Sequence, residues 1–316
     1  MRRLKTHVIV NPESNQGRTR KRWGDIREAL KNFLREYKFE FTEKPLDATA
    51  ITRQVIKDGT ELVIGVGGDG TMNEIANGFF EDRKMINPEA TLGVVPSGTG
   101  CDLTKSLNIP PGLTNALKVI TEGPSVRMDV GKVRFKTPDG GDDERFFLNV
   151  ADFGMGGEVV RRVNQRRLER KASSYVRCLV SAMAQYRSRR IHVRVDGESL
   201  PEGEYLMGAI ANGRVFGKGM KIAPEARLDD GLFDNVFVRG MKFLEFCLHG
   251  WKLINGSHLS HPKISLIRGR KIEALPAESE EDVLLALEGE QLGRLPATFE
   301  IMPRNLAIKG FLEKVR

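Results

Sequence analysis

The sequence predicts an α/β plus β protein: an α/β domain with a parallel sheet, joined to a mostly antiparallel β-sandwich. Three observations predict it. Short apolar runs alternate with helical periodicity over the first 125 residues. After Gly123-Pro124 that alternation gives way to strands separated by Gly, Pro and Asp turns. Two glycine-rich turns, Gly67-Gly68-Asp69-Gly70-Thr71 and Pro96-Ser97-Gly98-Thr99-Gly100, each follow an apolar strand. Repeated βα units with short connections favour a parallel sheet covered on both faces.

The elements follow in order. A strand over 4–10 precedes Asn11-Pro12, and Trp23, Ile26, Leu30, Phe33 and Leu34 set a helix over 19–37. A short strand over 38–42 leads to a helix over 48–58, stopped by Gly59. A strand over 62–66, a helix over 72–80, a strand over 91–95 and helices over 102–107 and 114–121 complete the first domain. Strands are expected over 126–136, 145–152, 191–195, 204–211, 234–238, 263–268, 271–274 and 283–287. Helices interrupt them over 158–187 and 243–254. The domains are placed at 1–125 and 126–302, with a tail over 303–316 returning to the first.

Bulk composition narrows the class. The chain has 316 residues, 40% hydrophobic and 29% charged, as in a soluble globular protein. No apolar run reaches the roughly 18 residues that a bilayer-spanning helix needs. The run after Arg2, Arg3 and Lys5 is too short for a secretion signal. Cys101, Cys178 and Cys247 lack metal or redox spacing, which fits a reducing cytoplasm. The net charge is +8, concentrated at Arg18–Arg22, at Arg161–Lys171 and at Arg187–Arg194. Such runs suit solvated helix faces or an anionic membrane surface. Nucleic acid is not expected, because aromatics do not interleave with them and no binding module is recognisable.

The two turns carry the chemistry. Glycines let the backbone approach a polyanion, and the following helix presents N–H groups and a positive dipole end. Asp69 and Asp102 beside phosphate imply an intervening cation, Mg²⁺. Gly65-x-Gly67-x-x-Gly70 also matches the dinucleotide fingerprint. In that motif, however, the carboxylate lies later, on the ribose, and not inside the turn.

These blocks resemble the diacylglycerol kinase catalytic family, which includes sphingosine and ceramide kinases and the soluble bacterial lipid kinases. The resemblance runs from Asn11-Pro12 through both turns. It continues through Ala211-Asn212-Gly213, Ala223-Pro224-x-Ala226 and Asp230-Gly231-Leu232-Phe233-Asp234 to Glu288-Gly289-Glu290. It implies a nucleotide-binding α/β domain and a β-sandwich, with ATP and lipid meeting in the cleft. It further implies that Gly67, Gly68, Asp69, Gly70, Thr71, Met72 and Asn73 hold ATP phosphates, Asp69 acting through Mg²⁺. Thr42 and Thr99 match further nucleotide contacts, and Glu290 matches the base that deprotonates the lipid hydroxyl. Asp230 and the carbonyls of Arg227 and Leu232 match a structural Mg²⁺ site. Two positions depart from the family: Cys101 stands where it usually has Asn, and Glu288 where it usually has Asp.

The expected activity is transfer of the ATP γ-phosphate to a lipid hydroxyl, with diacylglycerol the first acceptor, by a cytoplasmic enzyme peripheral to the membrane. An NAD kinase and a non-catalytic nucleotide- or lipid-binding regulator are the alternatives. The sequence leaves the lipid and the oligomeric state open, a homodimer included. His249, His258 and His261 fit no standard zinc spacing and read as loop or cleft residues. Phe243, Phe246 and Trp251, at helical spacing, read as core and not as lipid contacts.

Overall fold

The computed structural model describes residues 4–98, 100–165, 181, 184–241, 245, 248–278 and 282–312. The chain forms two units. The first is Met1–Val130, Arg227–Asp230 and Met302–Arg316, and the second is Gly131–Ala226 and Gly231–Ile301.

In the first unit, β1 (Thr6–Val10), β2 (Lys38–Phe41), β3 (Leu62–Gly67) and β6 (Thr91–Pro96) form a parallel sheet ordered β2-β1-β3-β6. The end of the last strand, β17 (Glu290–Lys309), adds to β6 in parallel, with Ala307 opposite Thr91. Val8, Val10, Ile64, Val66 and Val95 pack with Ile26 and Leu30 of α2 (Trp23–Phe33) and Leu117 and Ile120 of α6 (Leu113–Glu122). The other face is covered by α3 (Asp47–Lys57) and α4 (Asp69–Gly78). Burial of both faces explains why β3 reads as a continuous apolar run without alternation. A small hairpin, β4 (Phe80–Glu81) with β5 (Lys84–Met85), follows α4.

The single helix expected over 19–37 is two, α1 (Ser14–Lys21), kinked by left-handed backbone at Asn15, Gln16 and Gly17, and α2, separated at Arg22. Apolar spacing marks only the second, because α1 buries a single residue, Thr19, and so has no apolar stripe. Likewise α4 begins at Asp69 and not at residue 72, so Asp69-Gly70-Thr71 of the glycine block forms the first helical turn. A short helix, α5 (Asp102–Ser106), follows the second turn.

The second unit is a β-sandwich. Its strands are the end of β7 (Ser125–Lys136), β8 (Asp142–Phe147), β9 (Val150–Gly154), β10 (Arg189–Val195), β11 (Glu198–Ser199), β12 (Glu204–Ala211), β13 (Phe233–Arg239), β14 (Ile264–Gly269), β15 (Lys271–Pro276), β16 (Leu284–Leu287) and the start of β17. The pairings of β12 with β9 and β13, of β16 with β9 and β17, and of β15 with β10 and β17 are all antiparallel. Phe147, Phe153, Phe233, Phe237 and Phe299 fill the core between the layers, with the Phe147 and Phe233 rings stacked at 5.5 Å.

Period-two alternation sends Ala151 and Phe153 of β9 into that core and Val150 to a second apolar cluster. Met155 and Val159 of α7 (Met155–Gln165) pack in the second cluster. The strand expected over 145–152 is interrupted at Leu148-Asn149, whose N–H groups donate to the Glu288 side chain instead of a ladder. The long β17 escapes sequence reading because Gly293, Pro296 and Pro303 punctuate it like turns. No helix among the described residues is long and apolar enough to cross a membrane.

Candidate active site

The two glycine turns meet at the carboxyl ends of β3 and β6, where open α/β sheets place their ligands. The Ser97 N–H donates to the Gly67 carbonyl at 2.8 Å. A Cβ at Gly98 would lie 2.5 Å from the Gly68 Cα, so only glycine lets the backbones approach this closely. Gly98→Ala is therefore expected to destabilise the first unit by about 1–3 kcal/mol, the usual cost of forced overpacking. Thermal unfolding checks this, and an unchanged melting temperature would show that the turns can separate freely.

Asp69 fastens one turn to the other. Its Oδ2 accepts the Asp102 N–H at 3.0 Å and its Oδ1 accepts the Leu103 N–H at 3.1 Å. These donors belong to the first turn of α5, so the carboxylate offsets N–H groups that would otherwise lack helical partners. Burial pushes the Asp69 carboxyl up, while the Leu103 and Asp102 N–H bonds pull it down. Spacing alone assigns the offset of this carboxylate to a cation; in the fold, main-chain donors contribute to it. Asp102 in turn holds Lys105 Nζ at 2.7 Å.

The amino end of α4 forms a cradle. The Met72 N–H is the first to close a helical bond, to the Gly68 carbonyl, leaving those of Asp69, Gly70 and Thr71 outside the helical ladder. Such a terminus suits an anion. Thr71 Oγ1 accepts Asn11 Nδ2 at 2.9 Å, which ties the end of β1 to the cradle. The Met72 side chain is buried in the core, so only its backbone borders the turn. Asn73 Oδ1 is buried with no hydrogen-bond partner among the described residues. Thr42 follows β2, its N–H on the Val10 carbonyl at 2.9 Å. Thr99 lies outside the described residues.

Sequence reading misses a hydroxyl relay beneath the second turn. Ser14 Oγ and Ser97 Oγ each lie 2.6 Å from Thr19 Oγ1, and Thr19 is fully buried. The signal is a hydroxyl residue inside each partner segment, but only the fold pairs them. Asp129 is missed too: it is fully buried, and its Oδ1 accepts the Arg304 N–H at 2.6 Å. Cys101 adopts left-handed φ of 48° at the start of α5, and its Sγ accepts the Gly98 N–H at 3.3 Å. Burial first, then the Asp69 charge, pushes its thiol up to about 11, so it stays protonated at neutral pH.

In the second unit, Glu290 is exposed and begins β17, directly after the two-residue turn Glu288-Gly289. Both turn residues have positive φ, 48° and 79°, as a tight hairpin of this length requires. Glu288 Oε1 accepts the N–H groups of Leu148 at 2.9 Å and Asn149 at 2.6 Å. The departure at Glu288 thereby has a structural consequence, since its carboxylate ties the turn to the break between β8 and β9.

Arg227, Asp230 and Leu232 lie on the connection between β12 and β13, Arg227 and Asp230 in the first unit and Leu232 in the second. No group of three or more His, Cys, Asp or Glu side chains able to hold a metal occurs among the described residues. His258 is buried with Nε2 3.1 Å from the Ile222 carbonyl oxygen, and the His249 and His261 rings lie 5.0 Å apart. Arg161 and Arg162 both pair with Glu158, at 2.7 and 2.5 Å, while Arg166, Arg167, Arg170 and Lys171 fall outside the described residues. Trp251 is not core: it is 58% exposed, because the segment anchors itself inward through Leu253. Phe243 and Phe246 lie outside the described residues.

Comparison with known proteins agrees with this architecture. Residues 5–133 match the diacylglycerol kinase catalytic domain, and residues 149–310 match the YegS C-terminal NAD kinase beta sandwich-like domain. A diacylglycerol kinase of Staphylococcus carnosus is 28% identical, covering 97% of this chain and 95% of the relative. One of Staphylococcus aureus is also 28% identical, covering 97% and 92%. Among solved structures, a diacylglycerol kinase from Bacillus anthracis superposes with TM-score 0.69 at 20% identity, over 97% of this chain and 96% of that one. An NADH kinase from yeast shares the fold more distantly, with TM-score 0.53 at 12% identity, over 100% of this chain and 85% of that one. With a catalytic domain carrying both glycine turns and a β-sandwich carrying the Glu290 hairpin, the chain belongs to the diacylglycerol kinase family and is a lipid kinase.

Proposed function

We propose that this enzyme transfers the γ-phosphate of ATP to the primary hydroxyl of a diacylglycerol, giving phosphatidic acid. The observation that carries the donor half is the cradle at the amino end of α4, locked to the second turn by Asp69. Phosphoryl transfer demands positioning and charge neutralisation more than covalent chemistry. The N–H groups of Asp69, Gly70 and Thr71 would hold phosphate oxygens, and Asn73 Oδ1 would accept from a bound nucleotide or its water. Thr42 and Thr99 would border the nucleotide.

Asp69 fits Mg²⁺ because its oxygens keep a lone pair each beyond their main-chain bonds, and this ion is commonly held by one or two carboxylates plus substrate phosphates. A bound Mg²⁺ would supply neutralisation of the phosphate charge. Asp230, with the carbonyls of Arg227 and Leu232, would hold a second, structural Mg²⁺. Glu290 would take the proton from the lipid hydroxyl, its hairpin held in place by Glu288. The enzyme would act in the cytoplasm, peripheral to an anionic membrane that the basic run 161–171 helps attract.

The test is Mg²⁺-dependent transfer of labelled γ-phosphate from ATP in mixed micelles of diacylglycerol, monoacylglycerol, ceramide or sphingosine, with NAD as a soluble acceptor. Label on diacylglycerol above all others is expected. Label on NAD alone would overturn the lipid assignment, and label on ceramide or sphingosine would replace diacylglycerol.

A further inference from the structure

A lipid kinase must reach an acceptor that sits in a bilayer, and one surface of the second unit suits that requirement. Leu248 and His249 are helical, Gly250 and Trp251 form a turn, and the short helix α8 (Lys252–Asn255) follows. Leu248, Trp251 and Ile254 are 63%, 58% and 69% exposed, the most exposed large apolar side chains among the described residues. Trp251 stands three residues from each of the other two, and its indole reaches back to the Leu248 carbonyl. The opposite side is already anchored: Leu253 packs on the second apolar cluster, and its carbonyl accepts the Lys221 N–H at 2.7 Å. The outward trio therefore adds nothing to the core, and contiguous exposed apolar groups of this kind mark a surface that something covers.

The surrounding chemistry favours a lipid surface over another protein. Residues 248–255 carry Lys252 and no Asp or Glu, whereas farther along Lys263 is paired with Glu245, Arg268 with Asp234 and Lys271 with Glu273. Apolar side chains flanking a basic residue complement an anionic bilayer, whose headgroups attract the cation while its acyl boundary accepts the apolar groups. Trp251 is suited to that boundary. Its indole N–H already donates to the Leu248 carbonyl at 3.1 Å, so the ring can enter an apolar layer without leaving an unpaired donor.

We infer that Leu248, Trp251 and Ile254 form an interfacial wedge that inserts into anionic lipid and docks the second unit on its substrate's membrane. The inference rests on the lipid-kinase reading, but its test does not depend on turnover. The full chain is mixed with phosphatidylglycerol–phosphatidylcholine vesicles carrying brominated acyl chains. Trp23→Phe leaves Trp251 as the only indole. Strong quenching of Trp251 is expected, and Leu248→Ser/Trp251→Ser/Ile254→Ser should weaken vesicle partitioning by about thirtyfold.

Activity of that variant on a short-chain, monomerically dispersed diacylglycerol should match the wild type, while activity on vesicles falls with binding. Unquenched Trp251, or vesicle binding unchanged in the triple variant, overturns the wedge. So does a trio whose loss dissociates a dimer while sparing vesicle binding, because the face then covers a second copy of the chain. A wild type that binds vesicles through the wedge yet phosphorylates no lipid would refute the functional reading and leave the wedge standing.

Discussion

Glu290→Gln is expected to lower turnover on diacylglycerol by about 10²–10⁴-fold, the usual contribution of a general base. Glutamine keeps the size and hydrogen-bonding reach of glutamate but cannot take the proton. Glu290 is exposed at the head of β17, and the hairpin is fixed independently by Glu288 on the Leu148 and Asn149 N–H groups. The substitution should therefore leave the fold intact, and it should leave ATP affinity near the wild-type value. Steady-state kinetics at saturating ATP, with thermal unfolding as control, separate these effects. Equal turnover in the variant would remove Glu290 from the chemistry. A matched fall in ATP affinity would move it to a binding role.

The second large effect concerns stability, at a residue outside the proposed chemistry. Asp152 lies on β9 between Ala209 of β12 and Ala286 of β16, and is buried. The Gly157 N–H, in the first turn of α7, donates to the carboxylate, while Oδ1 has no hydrogen-bond partner among the described residues. Gly156 is obligatory above it, because a Cβ there would lie 1.9 Å from Oδ1. Burial with a single donor pushes the carboxyl up to about 7.

The sign of the pH effect follows from that shift. Below about pH 4 both folded and unfolded chains hold the proton. Between about pH 4 and 7 the unfolded chain releases it first, so stability attributable to Asp152 falls as pH rises. Above about 7 the loss is complete, and it amounts to roughly 4 kcal/mol for a shift of this size. Asp152→Asn keeps an acceptor for Gly157 and carries no charge. The variant should gain stability on the wild type across that window and hold the gain at pH 8. Denaturant unfolding of both proteins from pH 4.5 to 8 measures it. Parallel curves would mean that the carboxylate is ionised and satisfied throughout.

The sequence by itself determined the local elements and the positions of the two glycine turns. Strand and helix periods recovered β3, β6, α3, α6 and β12 nearly to the residue, because each repeats a burial pattern written in its own side chains. The glycine turns were legible for a similar reason: a backbone that must approach another group needs glycine wherever it does so. Periodicity failed where the side chains carry no apolar stripe, as in α1, or where Gly and Pro lie inside a strand, as in β17.

Partnership was decided only in three dimensions. No local rule says that Asp69 would cap α5, that Thr19 would meet Ser97, or that Glu288 would hold the break between β8 and β9. Each pairs residues far apart in sequence, and spacing cannot report such contacts. Exposure was decided the same way. Trp251 has the spacing of a core residue, but Leu253 took the inward position, and one side of a short helix cannot bury both. A sequence records what each segment can bury or donate; which of those capacities is used depends on what the fold brings against it.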